Sequence, residues 1–263
     1  MLGVKGCLDP FTRDCMLRVC AMANSVGGEN LEHFLALEWS LYRKGVPFFL
    51  YLDSRPWMWC RRQEWQLDWC SKHPDDDFVF IDAFDFLFLG EKDELESLVA
   101  AQPLIFSCDS GFVRDGKVGP WPSPELGPLF DAKRERESKW CWLNGCGPIG
   151  RGSAIAEAVD WGLKNVPYVP VSMPHWPRGG TDQHFWQMVY LNGFGVLDQQ
   201  CHIIQTLWDG ENPGDNNDDY VTPHLGHKDG RIVNLLTGAK PQFIHATGQS
   251  WNAIPEELWK ARA

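Results

Sequence analysis

Residues 77–88 read Asp77-Phe78-Val79-Phe80-Ile81-Asp82-Ala83-Phe84-Asp85-Phe86-Leu87-Phe88, and the reading of this stretch decides the fold. Phe78 to Ile81 is an apolar run with the length and the aromatic and β-branched content of a buried strand. The run ends on Asp82, and Asp85 follows after two apolar residues. Carboxylates in such company need something to compensate their charge. A hard divalent cation, Mg²⁺ or Mn²⁺, would do so, since such ions take oxygen ligands from one or two carboxylates and from substrate phosphates. The plainer alternative is a solvated strand end in which both aspartates form turns. The DxxD spelling alone leaves both open.

Outward to the N-terminus, Leu17 to Ala23 is a strand candidate, followed by a turn containing Gly27-Gly28. Such a glycine pair lets a phosphate or base approach the backbone. Asn30 is placed to cap a helix with the apolar face Leu31, Phe34, Leu35, Leu37, Leu41 and Tyr42, ended by Gly45. Pro47 to Asp53 reads as a second strand and Met58 to Lys72 as a Trp-rich helix. Strand, helix, strand, helix, strand at this spacing predicts right-handed βαβ units and a mainly parallel sheet. Ligands of such sheets bind beyond the carboxyl ends of the strands, where Asp82 and Asp85 fall.

Outward to the C-terminus, Glu91 to Ala101 reads as a helix and Pro103 to Cys108 as a buried strand. Residues 109–138 are rich in Gly and Pro and read as loop, a cover for a substrate or a surface excursion. Trp140 to Gly150 reads as a strand running into a glycine-punctuated turn, with Ser153 capping a helix through Leu163. An amide, Asn144, followed by Gly145 and Gly147 offers donors and backbone access for hydroxyls or a pyrophosphate; a plain turn is the alternative. His175 to Gly180 has the composition of a mobile active-site loop. Asp182 opens a helix, where it complements the helix dipole or serves chemistry. One or two short strands lie within Gly195 to Leu207, and Asp209 to Asp219 is an acidic loop that fails the calcium-loop spelling. Arg231 to Gly248 reads as a hairpin turning at Gly238, and Pro255 to Ala263 as a final short helix.

The 263 residues, 44% hydrophobic and 22% charged, hold ample material for a core. The length fits one large α/β domain or two small ones. A net charge of −11 argues against a broad, non-specific nucleic-acid binder. Fourteen Trp suit stacking on sugar rings or bases as well as core filling. Nine Cys without a CxxC pair, and no charged-then-apolar leader, predict a reduced, cytoplasmic protein. No apolar run approaches the ~20 residues a bilayer requires.

Four stretches in this order resemble the glycosyltransferase domain of procollagen lysyl hydroxylases and its microbial and viral relatives. They are Phe78-Val79-Phe80-Ile81-Asp82-Ala83-Phe84-Asp85, Trp142-Leu143-Asn144-Gly145-Cys146-Gly147-Pro148-Ile149-Gly150, Thr181-Asp182-Gln183-His184-Phe185-Trp186, and Phe243-Ile244-His245-Ala246-Thr247-Gly248. Leu197-Asp198 and Cys201 to Gln205 also fit, so the likeness spans about 17–250. It implies a single α/β, GT-A-type domain, a Rossmann-like sheet flanked by helices with a smaller antiparallel acceptor-side region: a nucleotide-binding half over about 17–108, an acceptor-side half over about 109–250, and a helix over 251–263. It also implies Mn²⁺ (or Mg²⁺) held by Asp82, Asp85 and His245, and a UDP-sugar as donor. Asn144 and Asp182 would lie by the donor sugar or the attacking hydroxyl, with Gly145, Gly147, Thr247 and Gly248 near the diphosphate. Two departures are present: Thr181 precedes a single aspartate where the family often has several, and Ala246-Thr247-Gly248 replaces Gly-Asn-Gly.

The relatives suggest two acceptors, hydroxylysine in collagen-like protein and 5-hydroxymethylated pyrimidines in DNA, and a cytoplasmic bacterial or phage-infected setting fits the second. A flipped base would stack on aromatics, for which Trp121, Trp140, Trp142 and Trp176 are candidates. Arg151, Arg178, Lys133 and Arg134 are the candidate phosphate contacts. A non-catalytic carbohydrate-binding protein and a metal-dependent nuclease or phosphatase are the readings from other classes.

Overall fold

Alternating apolar strands and amphipathic helices open the chain as the periodicity predicts: β1 (Leu17–Ala23), α1 (Leu31–Tyr42), β2 (Phe48–Leu52), α2 (Trp59–Lys72) and β3 (Asp77–Asp82). This is a computed structural model, and it describes residues 15–23, 31–53, 59–114, 117–120, 124–133, 138–167, 182–207, 224–228, 231–246 and 254. Gly45, at φ +66°, makes the left-handed turn that ends the first helix. β4 (Phe86–Phe88), α3 (Lys92–Ala100) and β5 (Leu104–Asp109) follow. Next come β6 (Phe112–Arg114), β7 (Lys117–Gly119), α4 (Gly127–Lys133), β8 (Trp142–Arg151) and α5 (Gly152–Asn165). The remaining elements are α6 (Asp182–Leu191), β9 (Val196–Leu197), β10 (Ile204–Thr206), β11 (Leu225–Lys228), β12 (Arg231–Asn234) and β13 (Phe243–His245).

Among the described residues nine strands form one mixed sheet in the order β2-β1-β3-β8-β5-β10-β13-β4, with β9 alongside β5. β1 is parallel to β2 and β3, and β10 is parallel to β5 and β13. β8 runs antiparallel between β3 and β5, and β4 antiparallel at the edge beside β13. The chain is thus α/β, a mainly parallel sheet flanked by helices, with two small antiparallel hairpins, β6-β7 and β11-β12. Side chains of β3 alternate between two cores. Val79 and Ile81 pack with Leu37, Leu41, Leu95 and Val99, while Phe78 and Phe80 pack with Ile155, Val159, Phe185 and Trp186. Each fully buried Val, Ile or Phe stabilises by roughly 1.5–3 kcal/mol, which is why the strand is apolar on both faces. No helix among the described residues is long and apolar enough to cross a membrane.

The structure differs from the sequence reading at four places. Trp142 to Arg151 is one continuous strand, without the expected turn. Its glycines answer to close packing: a Cβ on Gly147 (φ +150°) would lie 2.5 Å from the Phe80 carbonyl oxygen, and one on Gly145 2.5 Å from Gln183 Cα. The cap position of α5 is held by Arg151 in extended conformation, without a side-chain cap, so Ser153 is not the cap. β12 pairs with β11, whereas β13 enters the main sheet, so the hairpin reading of Arg231 to Gly248 is corrected; Gly238 does turn, at φ +76°. The Gly/Pro-rich 109–138 stretch contains the β6-β7 hairpin and α4. The Gly27-Gly28 turn, the His175 to Gly180 loop, the Asp209 to Asp219 loop and the terminal helix lie outside the described residues.

Candidate active site

Three side chains meet at the carboxyl end of the parallel strands. Asp82 is the last residue of β3, Asp85 sits in the bend before β4, and His245 is the last residue of β13. The register explains the meeting: β13 pairs with β4 so that His245 stands opposite Phe86. The Ala246 N–H donates to the Asp85 carbonyl at 2.6 Å, and the His245 ring stacks on Phe86 at 4.4 Å between centroids. One ligand atom each from Asp82, Asp85 and His245 lie within 4.8 Å of one another. Nε2 of His245 is 3.2 Å from Asp85 Oδ2.

Whether this cluster fits a metal can be judged on its unused atoms. Asp85 Oδ1 and His245 Nδ1 are buried and have no hydrogen-bond partner among the described residues. Buried polar atoms are normally satisfied, and unsatisfied ones call for an explanation such as an ion. Two carboxylates suit Mn²⁺ or Mg²⁺, and the imidazole tilts the donor set toward a transition ion. The residues present fit a divalent cation, with Asp82, Asp85 and His245 able to hold it.

Behind this cluster lies a buried cation that the sequence reading did not single out. Arg62 of α2 is 1% exposed. Its Nη1 donates to Asp82 Oδ1 at 2.6 Å and to Asp182 Oδ2 at 3.0 Å, and its Nη2 donates to the Cys146 carbonyl. Asp182, the first residue of α6, accepts the Gln183 N–H on its other oxygen at 2.9 Å. A second missed residue is Asp109, at the end of β5, which accepts the Gly111 N–H at 2.9 Å. The amides of Asn144 and Gln183 approach its Oδ2 at 3.5 Å each, and Asn144 Oδ1 accepts the Cys146 N–H at 3.1 Å. Both omissions had a signal. Arg62 shares the buried face of α2 with Trp65 and Gln66, where a charge is out of place. Asp109 ends the apolar run of β5 just as Asp82 ends that of β3.

Burial governs the electrostatics. It pushes the Asp82 carboxyl up, to about 7, against the pull of Arg62; the 39% of its side chain open to solvent tempers that push. Burial also raises Asp109 to about 7, against its hydrogen bonds. Asp182 is raised by burial, with Arg62 opposing. Burial works against protonation of His245, yet the nearby Asp85 charge and hydrogen bond outweigh it and raise the imidazole.

Other expected site residues fall elsewhere. Gly145 and Gly147 turn their open faces to Gln183 and Phe80, so the close approach they allow is to protein rather than to a diphosphate. Thr247 and Gly248 lie outside the described residues. Trp142 is 4% exposed and packs on Phe130 at 5.6 Å, and Trp140 is wholly buried, so neither offers a face to a base. Arg151 pairs with Asp77 at 3.0 Å, at the opposite end of β3 from Asp82, which removes it from the site. Lys133 donates to the Tyr190 carbonyl and lies over that ring. Trp121, Arg134, Trp176 and Arg178 lie outside the described residues.

No protein-family model matches the chain, and no curated protein matches it. Among solved structures, it aligns with a glycosyltransferase involved in the glycosylation of the major capsid of PBCV-1. The identity is 13% and the TM-score 0.46, over 92% of this chain and 98% of that one.

Proposed function

We propose that this chain is a metal-dependent glycosyltransferase of GT-A type, moving a hexose from a UDP-sugar to an acceptor hydroxyl. One observation carries the reading: Asp82, Asp85 and His245 converge at the carboxyl ends of the strands, with two of their buried polar atoms lacking a partner among the described residues. A divalent cation bound there supplies positive charge where the diphosphate leaving group develops negative charge. Asp182, whose carboxylate opens α6, is the group proposed to orient the acceptor hydroxyl and take its proton. Asn144 and Asp109 form a polar wall beside it with the capacity to bind sugar hydroxyls.

The test is turnover of UDP-glucose and UDP-galactose with Mn²⁺, read as UDP release. Release is expected to vanish with EDTA and to fall at least about 100-fold in Asp82→Ala. A carbohydrate-binding protein would retain glycan in both cases, and a nuclease would cleave nucleic acid with no sugar donor present. For the acceptor, a hydroxymethylated pyrimidine in DNA is proposed from the family likeness alone, because Trp142 and Arg151 no longer support it. Incubation with hydroxymethylcytosine DNA and, separately, a hydroxylysine peptide, followed by mass spectrometry, decides between them; an unshifted nucleoside rejects the DNA acceptor.

A further inference from the structure

Arg62 is a full positive charge enclosed at the junction of three elements. From α2 it reaches the end of β3 through Asp82, the start of α6 through Asp182, and β8 through the Cys146 carbonyl. A single Nη1 nitrogen lies 2.6 Å from one carboxylate and 3.0 Å from the other, so it fixes the separation of two acids that are remote in sequence. Core packing alone does not call for arginine, because buried ionic groups are often replaced by apolar residues of similar volume without loss of stability. The two acids it joins are those with different tasks in the transferase reading, on which this inference rests.

We infer that Arg62 is the positioning residue of the site, tying the cation-side carboxylate Asp82 to the hydroxyl-side carboxylate Asp182. The tie has two opposed consequences. Its charge stands against Asp82 and works against a bound cation, so it weakens cation affinity. Its fork fixes the direction of the Asp182 oxygen, so it favours transfer. Lysine keeps the charge but not the planar fork, and cannot hold both carboxylates and the carbonyl in one geometry.

The full chain carrying Arg62→Met or Arg62→Lys tests this with two readouts. Free Mn²⁺ is followed by electron paramagnetic resonance during titration, and kcat and KM are measured for UDP-sugar turnover. Arg62→Met is expected to bind Mn²⁺ about 3- to 10-fold more tightly, since a repelling charge has gone, while kcat falls at least about 30-fold and donor KM stays within about 3-fold. Arg62→Lys is expected to bind Mn²⁺ like the parent and lose at least about 10-fold in kcat. Asp182→Asn combined with Arg62→Met is expected to lose no more than Asp182→Asn alone, because Arg62 acts through Asp182.

Weaker Mn²⁺ binding in Arg62→Met together with a lower melting temperature would overturn the inference and leave Arg62 a structural group. So would an Arg62→Lys chain with full kcat, which decides the matter if Arg62→Met does not fold. Absence of UDP-sugar turnover in the parent chain would strike the transferase reading instead, while the Mn²⁺ titration would still judge the tie.

Discussion

The two ends of β3 both carry adjacent acids, and they treat them differently. At the amino end Asp76 pairs with Arg18 at 2.7 Å and Asp77 with Arg151 at 3.0 Å, two acids against two arginines. At the carboxyl end Asp82, Asp85, Asp109 and Asp182 gather around Arg62 and His245. At the first end each of these acids faces an arginine. The second has more acid than base, and Asp85 Oδ1 and His245 Nδ1 have no hydrogen-bond partner among the described residues. One strand therefore separates acids matched by arginines from a cluster in which acids outnumber bases.

The largest test of that contrast is a matched pair of neutralisations. Asp85→Asn is expected to weaken Mn²⁺ binding by more than the roughly 10- to 100-fold typical of losing an outer-shell partner, with little loss of melting temperature. Asp77→Asn is expected to leave Mn²⁺ binding unchanged. Equal effects in an isothermal titration would erase the distinction between the ends.

A second test concerns pH. Asp109 has its carboxyl raised from 3.8 to about 7 by burial, so the folded chain keeps a proton that the unfolded chain has already lost. Its contribution to stability is whole below pH 3.8 and is lost as pH rises to about 7. Asp109→Asn removes that loss. In melts with EDTA present, the variant's advantage over the parent is expected to grow between pH 5 and pH 8, reaching on the order of a few kcal/mol. A constant difference across that range would show that Asp109 is not enclosed as described.

The smallest effect belongs to the amino end. Arg151 is 39% exposed in its pair with Asp77, and Arg151→Ala is expected to cost about 1 kcal/mol or less in urea unfolding. UDP-sugar turnover should be untouched. A drop in turnover would return Arg151 to the site.

Much of the fold is legible in the chain because the signals are local. Apolar runs of strand length, helical periodicity in 31–42 and 59–72, and acids at strand ends suffice for β1, β2, β3, β5, α1 and α2. The meeting of Asp82, Asp85 and His245 is what the family resemblance implies, and periodicity alone does not give it. What was not legible depends on partners distant in sequence. Gly145 and Gly147 look like a turn until Gln183 and Phe80 are seen to press against them. Phe243 to His245 looks like half of a hairpin, because nothing local says that it prefers β10 and β4 to β12. Trp142 looks like a stacking platform until Phe130 covers it. Arg62 is hidden for the same reason: its carboxylates lie on two other elements.

The position of β8 has a consequence for how the polypeptide is made. Synthesis delivers β3 and β5 before the strand that belongs between them, so each presents a bare margin to the cell until residue 151 has left the ribosome. The imidazole arrives later still, 160 positions after the carboxylate it meets. His245 closes β13, the strand between β10 and β4, so the last interior strand of the sheet and the last member of the cluster are delivered together.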